Sequence, residues 1–167
     1  MVEIGYAELH AHSYYSLLDG VPSPEALVQH AAEVGMPALA LTDHDALYGA
    51  PRFVLAAERA GIKPILGAEL TLINGGGHLT LLAEDDAGYA NLCQLITLAR
   101  RDQLKGVAAL PWRRLADHTR GLIALSGCRH SQIAFWQTKG GDAANREAKE
   151  PLSSCRGGAP AVPIILR

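Results

Sequence analysis

Several features that define whole classes of protein are absent from this chain of 167 residues. Its three cysteines, Cys93, Cys128 and Cys155, lie far apart and form neither a CxxC motif nor a disulfide framework, which predicts a reducing compartment. No apolar run approaches the ~20 residues that a helix needs to cross a bilayer, and the N-terminus does not resemble a signal peptide. We therefore predict a cytoplasmic protein without membrane contact.

Aromatic residues are few, and the net charge is small. Aromatics make up 5% of the chain and the formal net charge is −2, which argues against a surface that binds nucleic acid by charge alone. The charge is uneven, because residues 137–167 carry five basic and three acidic side chains and the preceding 136 residues have a net charge of −4. An acidic body is compatible with a pocket that collects cations.

Short apolar runs alternate with helical periodicity, which is the pattern of β/α units and predicts an α/β fold. Ser23-Pro24 predicts a helix start and Gly35 a helix end, and Asn74–Gly77 predicts a hairpin turn. The predicted strands are 5–10, 38–41, 64–72, 78–83 and 122–125, and the predicted helices are 24–34, 51–60, 86–99 and 111–118.

The regular pattern ends near residue 136, so one domain is predicted over residues 1–136. Residues 137–167 mix glycine, serine, proline and charge with neither periodicity, and only Ile164–Leu166 is strongly apolar there. We expect this end to be irregular or disordered.

Ionisable side chains follow the ends of the short apolar segments. Thr42-Asp43-His44-Asp45 places three such groups in four residues after a buried strand, which is costly unless they are paired or bind a metal. His10 and His12, on a predicted strand, would share one face. Imidazole, carboxylate and thiolate are ligands of divalent metals. The candidate metal ligands are His10, His12, Asp19, His44, Glu69, His78 and Cys128.

Structural interpretations compete with this assignment. Taken alone, the His-x-His pair is compatible with ordinary strand-end histidines, and Asp19-Gly20 with a simple turn. The remaining histidines and cysteines are assigned no ligand role: His30 and His118 are predicted on the surface, His130 near Cys128, Cys93 in a buried helix stripe with Tyr89, Leu92, Ile96 and Ala99, and Cys155 in the irregular end.

Five short motifs in combination resemble the PHP (polymerase and histidinol phosphatase) domain. The motifs are Leu9–Ser13, Leu18–Gly20, Leu41–Asp45, Gly67–Glu69 and Ser126–Cys128, and the resemblance covers about residues 5–135. The chain is most similar to the version at the N-terminus of bacterial DNA polymerase III alpha-type subunits, and to their error-prone branch. This similarity rests on His78–Ala83 with Gly88–Leu92, on Ser126–Arg129, on Leu47–Gly49 and on Ala68–Thr71.

The resemblance implies a distorted, TIM-like β/α barrel, of which this chain would be the truncated N-terminal part. By motif position, the seven candidate ligands would hold up to three divalent ions at the C-terminal rim. Zn, Mn or Fe suit such a mixed set, and the thiolate of Cys128 favours Zn. Asp43 and Asp45 are predicted to orient His44 from behind the metal ligands, although one of them is also suited to capping the turn.

The family pattern is incomplete here. No Asp-x-His pair follows Cys128, and Ser131-Gln132 stands where the family usually has Gly-Glu. We therefore hypothesise that the chain is the N-terminal piece of a longer polymerase, with a foreign or frame-shifted end from about residue 137.

The resemblance leaves two functions and one inert outcome open. The first is the PHP module of an error-prone DNA polymerase, whose parent protein would bind DNA and deoxynucleoside triphosphates in damage tolerance and repair, with 3′–5′ exonuclease or phosphoesterase ancestry in the module. The second is a free-standing metal-dependent phosphoesterase acting on histidinol phosphate or a nucleotide. The third is a truncated product that folds poorly. We expect no DNA synthesis and weak or no phosphatase activity from this chain alone.

Overall fold

The computed structural model describes residues 5–73, 77–101, 103–125 and 164–165. Helices and strands alternate along the first part of the chain, which confirms the α/β prediction. The elements are α1 (Pro24–Glu33), β1 (Ala38–Leu41), α2 (Ala50–Ala60), β2 (Lys63–Thr71), β3 (His78–Ala83), α3 (Asp86–Arg101), α4 (Trp112–Leu115), a 3₁₀ turn (Ala116–His118), β4 (Leu122–Leu125) and β5 (Ile164–Ile165). The chain divides into two compact units, Met1–Ala68 and Glu69–Arg167.

The first unit contains helix α1, whose two ends follow from local sequence. The Ser23 side chain accepts a hydrogen bond from the Ala26 amide at 3.1 Å, and Pro24 occupies the first helical turn. After Val34 the chain leaves the helix at Gly35, where φ is +75° and a residue with a Cβ would be strained. Both ends agree with the prediction.

The core of the first unit lies between its two helices and a parallel strand pair. Strand β1 pairs with β2 from Ala38↔Lys63 to Leu41↔Leu66. The buried apolar cluster comprises Val28, Ala31, Leu39, Leu41, Phe53, Ala57 and Ile62. This packing holds the C-terminal end of β1, from which residues 42–45 continue.

The N-terminal segment 5–10 was predicted as a strand, and this prediction is wrong. The segment makes a single parallel bridge, Glu8↔Leu39, with the Ala40 amide donating to the Glu8 carbonyl at 2.8 Å. The His10 amide donates to the Glu8 carboxylate at 2.9 Å, a local bond that takes the place of a ladder bond. His10 and His12 therefore follow a bridge and not a regular strand.

The second unit is built on an antiparallel strand pair. Strand β3 pairs with β4 from Thr80↔Leu125 to Ala83↔Leu122. Most of the predicted hairpin turn before β3 lies outside the described residues, but the Leu72 amide donates to the Gly77 carbonyl at 3.1 Å, as a hairpin there requires. Within the described residues, no helix is both long enough and apolar enough to span a membrane.

Part of the predicted irregular end is ordered as a strand. Ile164–Ile165 form β5, which runs parallel to β4 with Ala124↔Ile164 and Leu125↔Ile165 paired. These isoleucines belong to the apolar run noted in the sequence, which is suited to a sheet edge. The rest of residues 137–167 lies outside the described residues, so the irregular end and the boundary at residue 136 stay predictions.

The buried face of helix α3 overlaps the predicted one at Leu92 and Ala99 but is centred on Gly88 and Leu95 as well. Asp85 caps the helix, since its carboxylate accepts a hydrogen bond from the Gly88 amide at 2.8 Å. The buried residues are Gly88, Leu92, Leu95 and Ala99. Tyr89 is 41% exposed, and Cys93, predicted in the core, is only half-buried.

A close backbone approach explains this choice of face. A Cβ at Gly88 would lie 1.8 Å from the Gly121 carbonyl oxygen, so only glycine lets α3 pack against this turn. The Glu84 amide donates to the same carbonyl at 2.9 Å, which fixes the turn in place.

Replacing Gly88 by alanine should therefore destabilise the protein although alanine favours helices. Because the backbone must move to admit the methyl group, we expect the free energy of unfolding to fall by about 2 kcal/mol. Urea denaturation followed by circular dichroism measures this change. Ala90→Ser, on an exposed position of the same helix, is the control and should cost about 0.5 kcal/mol or less. Equal stability of Gly88→Ala and the unaltered chain would contradict the proposed contact.

Candidate metal centre

Three imidazoles converge in the first unit. The rings of His10 and His12 have centroids 4.8 Å apart and meet edge to face, while His12 and His44 stack with centroids 4.6 Å apart. One ligand nitrogen of His10 lies within 4.8 Å of one of His12. His44 comes from the segment that follows β1, so a bridge-forming segment and a buried strand deliver these side chains to one place. We call His10, His12 and His44 the histidine group.

Asp19 adds a carboxylate to the histidine group. Its Oδ2 lies 3.0 Å from Nε2 of His44, although the Asp19 side chain is 64% exposed. Asp19 is brought back to the histidines by a tight loop, in which the amides of Asp19 and Gly20 both donate to the Ser16 carbonyl. A Cβ at Gly20 would lie 1.8 Å from the Ser13 carbonyl oxygen, so this return needs glycine.

The loop that carries Asp19 is attached to both helices of the first unit. Its residue Tyr14 contacts Arg52 of α2 through a hydrogen bond, and Arg52 Nε lies 2.6 Å from the Glu25 carboxylate of α1. The hydrogen bond from Arg52 holds the pKa of Glu25 below its usual value, and partial desolvation raises the pKa of Tyr14. At neutral pH the Tyr14 phenol is thus neutral and the Glu25 carboxylate is charged, and both bind the same Arg52 guanidinium.

Asp43 lies behind the histidine group as a buried carboxylate, only 1% exposed. It accepts three hydrogen bonds of 2.7 Å, from the Ser13 amide, the Ser13 hydroxyl and the Ser16 hydroxyl. The Ser16 oxygen in turn accepts the His44 amide at 3.1 Å and lies 3.4 Å from Nδ1 of His12. Asp43 therefore acts on the histidine group through Ser16.

The serines were missed by the sequence analysis. Ser13 directly follows the His-x-His motif and Ser16 comes one helical turn later, and both are fully buried. The available signal in the sequence was a pair of serines three residues apart, directly after two histidines. A carboxylate elsewhere in the chain could accept their hydrogen bonds. Asp45, predicted beside Asp43, is buried with φ of +48°.

A second pair of candidate ligands lies in the second unit. Glu69 near the end of β2 and His78 at the start of β3 are in contact, with Oε1 and Nδ1 2.5 Å apart. Glu69 is buried, and its other oxygen accepts from the Thr80 hydroxyl at 3.4 Å. A buried carboxylate with an imidazole and a hydroxyl as partners is held in one orientation, as a metal ligand requires.

The histidine group with Asp19, and the pair of Glu69 and His78, both offer donor atoms that suit a divalent ion. The structure brings His10, His12, His44 and Asp19 together in one unit, and Glu69 and His78 together in the other. Imidazole nitrogens and carboxylate oxygens are the ligands that Zn, Mn and Fe take. Cys128 lies outside the described residues, as do His130 and Cys155. His30 is exposed on α1, as predicted.

Removing the charge of Asp43 should loosen the support of the histidine group. In Asp43→Asn the new amide group faces donors that the carboxylate accepted, so we expect a loss of about 2–3 kcal/mol in the free energy of unfolding. Asp19→Asn makes the same chemical change at an exposed position and should cost less than about 1 kcal/mol. Urea unfolding of both variants checks this, and equal losses would show that the buried network does not support the fold.

The chain is similar in sequence to one family of known proteins. The PHP domain family matches residues 8–156. An error-prone DNA polymerase of Symbiobacterium thermophilum is 47% identical over 146 residues, which are 78% of this chain and 13% of that protein. The DNA polymerase III subunit alpha of Chlamydia trachomatis is 39% identical over 139 residues, covering 75% of this chain and 11% of that protein. The chain thus spans less than a sixth of the length of these relatives.

A solved structure shows the same fold. It is a two-domain protein from Bacteroides vulgatus containing a predicted PHP-like metal-dependent phosphoesterase, with a TM-score of 0.55 and 20% identity. The likeness covers 87% of this chain and 41% of that chain. This likeness agrees with the predicted PHP-type α/β fold.

Proposed function

Because this chain belongs to the PHP domain family, we propose that it is the metal-binding PHP module of an error-prone DNA polymerase. Identities of 39–47% to polymerases support this choice. DNA synthesis, binding of deoxynucleoside triphosphates, and damage tolerance and repair in the cytoplasm are proposed for a longer parent protein. The module itself carries no polymerase activity in this proposal.

The proposed metal ligands are the seven residues of the sequence prediction: His10, His12, Asp19, His44, Glu69, His78 and Cys128. The observation that carries the proposal is the convergence of the histidine group with Asp19 within one unit. Up to three ions of Zn, Mn or Fe are proposed, and such ions supply Lewis-acid chemistry for phosphoester hydrolysis. Asp43, through Ser13 and Ser16, holds the segments that carry His12 and His44, and Asp45 is proposed to assist.

A free-standing phosphoesterase is the alternative function, and it would use the same donors. The solved relative described as containing a phosphoesterase is only 20% identical, whereas the polymerase matches are about twice as similar. The absence of an Asp-x-His pair after Cys128 in the sequence also leaves this chain short of the family's ligand set. We therefore propose at most weak phosphoesterase activity, inherited from the family, for the chain alone.

Metal binding by the histidine group can be tested directly. We expect the purified chain to bind zinc or manganese, and His10→Ala/His12→Ala to lower the affinity at least tenfold because two imidazole ligands are removed. Isothermal titration calorimetry measures the affinity, and elemental analysis measures the bound metal.

The control for this experiment is His30→Ala, since His30 is an exposed histidine of the same unit. Its metal affinity should match that of the unaltered chain, which shows that loss of a surface imidazole has no effect. Equal affinities of the double variant and the His30 variant would refute the proposed ligand role of His10 and His12.

A further inference from the structure

An open groove of about 370 Å³ lies in the second unit, on residues that the proposed metal ligands do not include. Helix α3 contributes Gln94, Thr97 and Arg101 to it, α4 contributes Arg114, and the 3₁₀ turn contributes His118. Two guanidinium groups, an imidazole, an amide and a hydroxyl thus face one space. Among the described residues that line the groove, none is acidic.

The two arginines and the histidine of the groove belong to a strongly basic stretch of an acidic chain. Residues 100–120 hold six arginines and lysines against two aspartates, a net charge of +4, while the other 146 residues have a net charge of −6. Of those two aspartates, Asp117 is exposed beside the groove and Asp102 lies outside the described residues. The overall charge of −2 therefore conceals a local positive field.

Asp85 lies against Gly121 and therefore close to Arg120, whereas Arg101 is at the opposite end of α3 from the acidic residues that precede and begin this helix. Glu84, Asp85 and Asp86 lie at the start of the helix, about 22 Å from Arg101 at 1.5 Å per residue. That distance exceeds two Debye lengths at physiological salt, where the Debye length is about 8 Å. Arg101 also complements the helix dipole at the C-terminus of α3, but Arg114 and His118 belong to other elements, and the dipole does not account for them.

We propose that this groove binds the phosphodiester backbone of DNA. Guanidinium groups hold phosphate oxygens with paired hydrogen bonds, and the neutral Gln94 amide can donate to the same acceptors, whereas the Thr97 hydroxyl donates to the Cys93 carbonyl at 2.8 Å. A groove that is open to solvent admits a polymer more readily than it encloses a small anion. The choice of DNA as the polymer rests on the proposed function; the anion-binding character rests on the groove alone.

The test is DNA binding by the full chain of 167 residues, measured by fluorescence anisotropy with a labelled 20-base-pair duplex at 50, 100 and 200 mM NaCl. The groove variant is Arg101→Glu/Arg114→Glu. The control is Arg59→Glu/Lys63→Glu, which changes the net charge equally at two exposed positions of the first unit. Arg101→Gln/Arg114→Gln repeats the test without charge reversal, and thermal melts confirm that each variant is folded.

We expect the groove variant to bind the duplex at least tenfold more weakly at 50 mM NaCl, and the control to stay within twofold of the unaltered chain. Each phosphate contact contributes about 0.9 to the slope of log affinity against log salt, so two lost contacts should reduce that slope by about 1.8. Equal losses in both variants, or no binding by the unaltered chain, would overturn the proposal. Displacement of the duplex by poly-L-glutamate at equal charge concentration would also overturn it, in favour of an acidic-peptide site.

The metal affinity of the groove variant separates this proposal from the proposed function. Arg101 and Arg114 are not among the proposed ligands, so zinc or manganese should bind this variant as it binds the unaltered chain. If the DNA result fails while metal binding persists, only the groove proposal falls. If groove-dependent DNA binding is found without metal binding, only the metal proposal falls.

Discussion

A carboxylate taken out of water is stable only if hydrogen bonds replace its hydration, and Asp43 meets that condition with three short bonds from Ser13 and Ser16. These bonds join the segment after the His-x-His motif to the segment after β1. Ser16 then connects to the His44 amide. The stacked imidazoles of His12 and His44 are thus held by Asp43, Ser13 and Ser16, none of which is a proposed metal ligand. The arrangement of the histidine group depends on this buried charge.

The same network explains how an exposed loop can supply a ligand. Ser16 accepts the amides of Asp19 and Gly20 at its carbonyl, while its hydroxyl is bound by Asp43. The loop is therefore attached at its base to the buried carboxylate and at its side, through Tyr14, to Arg52. Asp19 reaches His44 although most of its side chain is in solvent. Ligand geometry at such a site is set by backbone hydrogen bonds more than by burial of the ligand.

Much of this arrangement could be predicted from the sequence, and the failures have physical causes. Strands β1, β3 and β4 have the predicted bounds because each is a short apolar run between polar residues, and α1 begins and ends at its capping residues. The segment before His10 failed as a strand because a local bond from Glu8 satisfies the His10 amide. The buried face of α3 was predicted only in part, at Leu92 and Ala99, because a contact between Gly88 and Gly121, distant in sequence, turns Gly88 inward. The net charge of −2 averages the basic residues 100–120 with the acidic remainder of the chain, so it does not show how charge is distributed locally.

The central claim is that the histidine group binds a divalent ion, and zinc K-edge X-ray absorption of the zinc-loaded chain tests it most directly. With one equivalent of zinc per chain, the account predicts a shell of nitrogen and oxygen ligands at about 2.0–2.1 Å, with the outer-shell scattering of at least two imidazoles per zinc. A spectrum without imidazole scattering, or one dominated by sulfur at about 2.3 Å, would contradict it.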